Sequence, residues 1–115
     1  IRITKEAIQM QVIRINEIEG KTNPRGVVVK QLISHDNTRV MNLNFKSGDE
    51  ISTHKVPVDV FFYVVSGSST IQIGEEKFVV KATDIVLCAP ETMMALWADQ
   101  GEAFSVLNVK TPSMK

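Results

Sequence analysis

The 115-residue chain has one cysteine, Cys88, so no internal disulfide can staple it and no cysteine-rich zinc site can form. It has no excess charge of either sign, since 13 Lys and Arg balance 13 Asp and Glu. A pI near 6.9 gives no electrostatic reason to expect nucleic acid or an anionic membrane as partner. No apolar run approaches the roughly 18–20 residues that span a bilayer. The first residues show neither a hydrophobic signal core nor a small-residue cleavage site. From these absences we expect a soluble, cytoplasmic protein with no nucleic acid and no membrane among its partners. Low-complexity stretches and internal repeats are missing as well.

What is present is the composition of a globular domain, with 43% hydrophobic and 23% charged residues. The length suits one domain, whose core should bury about two-thirds of the surface of the unfolded chain. From Val27 onward, short β-rich runs alternate with turn residues. The runs are Val27–Ile33, Thr38–Phe45, Asp59–Ser66, Thr70–Ile73, Lys77–Val80, Ile85–Cys88, Ala95–Ala98 and Ala103–Val109. Strands at this spacing indicate an all-β sandwich or barrel rather than βαβ units. Met41, Leu43 and Phe45 alternate with Asn42 and Asn44, the period of a half-buried strand. Val58–Val65 is apolar on both faces apart from Asp59, which places it in the middle of a packed sheet. Before Gly20, residues Ala7, Ile8, Val12, Ile15 and Ile18 fit a helical stripe, while Gln9–Ile13 could equally form a strand. The expected organisation is an N-terminal extension over residues 1–26, with Lys21–Arg25 as a loop, and a barrel over residues 27–115.

Between Gly48 and Gly67 the residue order becomes specific: Gly48, five residues, His54, then Lys55-Val56-Pro57-Val58-Asp59-Val60, then six residues to Gly67. This resembles the first motif of the cupin superfamily, Gly, five residues, His-x-His, three or four residues, Glu, six residues, Gly. Downstream, Thr83-Asp84-Ile85-Val86-Leu87-Cys88-Ala89-Pro90 is similar to the second motif's Gly-Asp, strand and Pro, with Met94 where its histidine normally stands. The likeness covers roughly Val27 to Val109. It is greatest to the small single-domain cupins with a His-x-x-Pro-x-Asp stretch, here His54, Pro57 and Asp59. The resemblance implies a double-stranded β-helix, or jelly-roll barrel, and a homodimer.

The resemblance also implies a metal centre of two His, a Glu and a third His, and here the residues depart from it. Only His54 remains; Val56 stands at the second His position, Val60 at the Glu position and Met94 at the third His position. A divalent metal needs about three or four N, O or thiolate ligands, and one imidazole cannot hold such an ion against water. The expectation is therefore no resident cofactor; if a metal binds after all, His54 is the residue to touch it. Val56, Val60 and Met94 are apolar, and Phe62 and Leu96 share their face by strand alternation. The lumen reads as a lipophilic pocket or a filled core, with His54 as its polar group.

Other candidates have plainer readings. His35 falls at a turn, Cys88 reads as a small buried hydrophobe, and Met93 and Met94 as gap-filling core. Trp97 faces away from Leu96 and should pack under a neighbouring segment or subunit. Glu50, Glu75 and Glu76 read as solvent-facing, and Asp59 as accepting turn hydrogen bonds beside Pro57. Three functions follow as expectations. The first is metal-free binding or sensing of a small molecule through His54, Val56, Val60, Phe62, Met94 and Leu96. The second is a divergent isomerase- or dioxygenase-like enzyme using His54 with Glu50, Asp59 or a non-motif metal. The third is a dimeric interaction scaffold in which Ile8–Ile18 pairs with the partner's sheet.

Overall fold

Alternating side chains and punctual turns set the architecture. The computed structural model describes residues 11–98 and 103–113. Ten strands form among them: β1 Lys21–Thr22, β2 Val28–Ser34, β3 Arg39–Phe45, β4 Glu50–His54, β5 Asp59–Ser66, β6 Ser68–Ile73, β7 Glu76–Lys81, β8 Ile85–Cys88, β9 Met94–Ala98 and β10 Phe104–Thr111. All pair antiparallel, in a six-stranded sheet of order β1-β2-β3-β10-β5-β8 and a four-stranded sheet of order β4-β9-β6-β7. This is the all-β jelly-roll arrangement expected from the sequence.

The turns form where short polar side chains can satisfy the backbone. The Asn23 carboxamide oxygen accepts the N–H groups of Arg25 and Val27 at 2.9 and 3.0 Å. Asp49 and Asp84 do the same for Lys46 and Lys81, at 2.8 and 3.0 Å. Gly67, between β5 and β6, has φ +80°, and a Cβ there would collide with the Ala103 carbonyl. Thr83 stands where the second motif has its glycine and holds that residue's left-handed backbone at φ 75°.

The two sheets close over one core, to which Phe62, Phe104, Ile71, Met94, Leu96 and Val64 contribute their buried side chains. The rings of Phe45 and Phe104 stack tilted at 51°, 5.4 Å apart. Three expectations need correction. Lys21–Thr22 is not loop but an edge strand on β2, because the turn that reverses the chain is Asn23–Gly26. The helical stripe yields one turn of 3-10 helix, Ile15–Glu17, tied down where the Lys30 ammonium donates to the Ile15 carbonyl at 3.0 Å; residues 11–14 are irregular, and Ala7 and Ile8 lie outside the described residues. Glu50–His54 is a strand that polarity hid.

Candidate binding site at the barrel mouth

Strand direction brings one end of the barrel together. The β4–β5 loop and the β8–β9 loop meet there: the Glu91 N–H donates to the Val56 carbonyl at 2.8 Å, and the Lys55 ammonium lies 3.7 Å from the Glu91 carboxylate. That ion pair is exposed and contributes at most about 1 kcal/mol, so the backbone bond is the tie that matters. Around this mouth stand the end of β4, the start of β5, the end of β8, the start of β9 and the end of β10.

His54 reaches the inside because of an irregularity. Ile51 faces the core opposite Leu96, so strict alternation would turn His54 outward. The register shifts between Ile51 and His54, and His54 ends opposite Met94, which is buried. His54 itself is half-buried. Val56, Val60, Phe62, Met94 and Leu96 are all buried within one continuous apolar cluster. The structure thus brings together the six residues singled out in the sequence, five as core and His54 at its margin. Val60 and Cys88 also border a cavity of about 390 Å³, but Asp59, Phe61, Leu87 and Thr111, which line it too, place it on the outer side of the six-stranded sheet.

The plainer candidates resolve one by one. Cys88 is buried opposite Val60, and burial pushes its thiol pKa up, which favours the protonated form. Trp97 faces outward: its indole N–H donates to the Glu50 carboxylate at 2.7 Å, and the Lys77 ammonium lies 5.3 Å from its ring. Glu50 is thus a partner for Trp97 rather than a merely solvated charge, and the cover on the indole comes from Lys77 of its own sheet. Asp59 opens β5 as an exposed residue opposite Thr111. His35 is exposed in the turn after β2.

Three residues of the mouth escaped the sequence reading. On β10, Asn108 lies opposite Phe62 on one side and Met41 on the other, and Lys110 lies opposite Val60 and Arg39. Phe62 and Val60 belong to the core, so Asn108 and Lys110 share the inward face. Asn108 is 6% exposed, and its side-chain oxygen is buried without a hydrogen-bond partner. Lys110 is half-buried; burial first, and then the Arg39 charge, lower its pKa. Arg39 also donates to the Gln31 side-chain oxygen at 3.3 Å.

Among the described residues, no three His, Cys, Asp or Glu side chains come together to hold a metal ion. The donor set at the motif positions, one imidazole with two valines and a thioether, does not fit the four-ligand centre of metal-binding cupins.

No family model matches the chain, and no curated protein matches it. Solved structures do. The KdgF protein of a Halomonas species superposes with TM-score 0.84 at 18% identity, over 92% of this chain and 96% of that one. An RmlC-like cupin of Shewanella frigidimarina gives 0.81 at 16% identity, over 87% and 88%. The polyketide cyclase RemF of Streptomyces resistomycificus gives 0.81 at 11% identity, over 90% and 80%. Likeness at such identities shows the fold alone: this chain has the cupin double-stranded β-helix.

Proposed function

We propose that the chain binds a small, largely apolar molecule at the mouth of its barrel, with His54 as the polar group that orients it and no metal taking part. One observation carries this reading. The three motif positions that have lost their ligands, Val56, Val60 and Met94, are buried in a single apolar cluster beside the half-buried His54. On this reading the motif positions supply apolar contact in place of coordination. Acid–base turnover by His54 with Glu50 lacks the geometry, because Glu50 lies opposite outward-facing Trp97 while His54 lies opposite inward-facing Met94. Asp59 is exposed and neighbours inward Val60, which puts it on the outward face.

The test is a titration of methyl-labelled protein with isohexanol. Shifts at the methyls of Val60, Met94 and Leu96, weakened roughly fivefold in His54→Ala by loss of the hydroxyl contact, are expected. Shifts confined to Ile85 and Leu87 would place binding on the outer groove and overturn the reading. Elemental analysis of tag-free protein adds a second check, with the expectation of substoichiometric metal unaffected by His54→Ala.

A homodimer is a second reading, favoured by a groove of about 560 Å³ between β7 and β8, each an edge strand of its sheet. Phe78 shares the inward face of Ile71 yet is 44% exposed, and Val79, Ile85 and Leu87 are exposed beside it. Sedimentation at micromolar concentration should show a dimer that Leu87→Lys dissociates; a monomeric wild type removes this reading.

A further inference from the structure

The inner face of the barrel is apolar over most of its area, so what polar groups it holds at one level is informative. Three stand on adjacent strands. Arg39 and Lys110 are directly opposite each other across β3 and β10, an arrangement in which like charges repel at about 5 Å between Cβ atoms. Neither is fully exposed to water, which would otherwise screen them. One step deeper, about 7 Å along β10, is Asn108. Its side-chain oxygen is a buried acceptor with no donor, and a carboxamide oxygen left in that state costs free energy.

Asn42 shows the other way a buried carboxamide is treated in this sheet. Asn42, buried on the adjacent strand, has its oxygen and its amine engaged. A pair of cations at the rim and a lone acceptor below them are complementary to one kind of molecule. Its carboxylate would sit between the cations, and a hydroxyl close to that carboxylate would donate inward. Its remaining body would meet Val60, Phe62 and Met94, all buried at the same mouth.

We infer that the barrel mouth carries a subsite for a hydroxycarboxylic acid, with Lys110 and Arg39 binding the carboxylate and Asn108 accepting the hydroxyl proton. This rests on the mouth being the binding site, as proposed above, and names the class of ligand it takes. Arg39 offers a planar fork to the carboxylate while Lys110 adds a point charge on a flexible stem. Asn108 discriminates: an acid without the hydroxyl leaves the buried oxygen unpaired, so it binds more weakly without losing its ionic anchor.

Three probes with one carbon skeleton separate the contributions: α-hydroxyisocaproate, isocaproate and isohexanol, titrated calorimetrically and against methyl-labelled protein. On the unaltered protein, α-hydroxyisocaproate should bind roughly five- to tenfold tighter than isocaproate, and isocaproate roughly tenfold tighter than isohexanol. Asn108→Leu should abolish the first difference and keep the second. Lys110→Met should shrink the second and keep the first. Acids that bind no tighter than isohexanol, while the alcohol still shifts Val60 and Leu96, overturn the subsite and leave the apolar mouth standing. If no probe shifts those methyls, both readings fall. Asn108→Leu weakening both acids equally would make Asn108 a structural residue. The comparison of probes on the unaltered protein decides the matter even where a variant does not fold.

Discussion

Two buried asparagines on neighbouring strands, Asn42 and Asn108, lie on opposite faces of the six-stranded sheet and are treated in opposite ways. On the outer face, Asn42 donates to the Ser105 hydroxyl at 2.9 Å, Ser105 donates to the Asn44 side-chain oxygen at 3.0 Å, and Asn44 donates back to the Asn42 side-chain oxygen at 2.7 Å. The ring is closed, and Asn42 adds a bond to the Val106 carbonyl at 3.2 Å. On the inner face, Asn108 is 6% exposed and has its oxygen unpartnered. A polar ring that satisfies all its members ties strands together; a lone acceptor in an apolar interior adds nothing to the fold. The difference separates polarity that ties strands together from polarity that does not.

Substitution can break this contrast. Asn42→Leu opens the ring and leaves Ser105 and Asn44 with unmatched groups, so a loss of roughly 2–3 kcal/mol is expected in urea denaturation. Asn108→Leu replaces a similar volume without orphaning a partner, and the same measurement should change by less than about 0.5 kcal/mol or show a gain. Losses of equal size would erase the distinction. The smallest effect concerns Lys110, whose pKa is lowered by burial and then by Arg39. Between that lowered value and the ordinary 10.5, the unfolded chain holds more protons than the folded one, so stability rises with pH across that window. Subtracting the alkaline melting profile of Lys110→Met from that of the wild type should isolate the rise; identical profiles would assign it to other groups.

Much of the fold was legible because it rests on local chemistry. Alternation marked β3, and Asn, Asp and Gly marked the reversals, since each satisfies or permits a turn with its own few atoms. β4 escaped because Glu50-Ile-Ser-Thr-His carries only one apolar side chain, and its strand character comes from pairing with β9. The site divides the same way. His54, Val56, Val60 and Met94 could be found from spacing, yet the inward aim of His54 depends on a register shift that no spacing encodes. Asn108 was invisible for a further reason. Either set of alternate residues in β10, Phe104 and Val106 or Leu107 and Val109, could have formed the core face, and the choice was made by β3 and β5.

That same strand has a consequence for the birth of the protein. β10 lies between β3 and β5, which come many residues earlier, and they meet only through it in the larger sheet. A nascent chain can form the β6–β7 hairpin early, but β3 and β5 wait with open edges until residue 111 has left the ribosome. Closure is then a late, long-range event, slow by the standards of helical domains of this size and exposed to misassociation while it is pending. The strand that places Asn108 and Lys110 at the mouth is therefore also the one whose arrival completes the sheet, so the barrel mouth and the finished fold come into being in the same step.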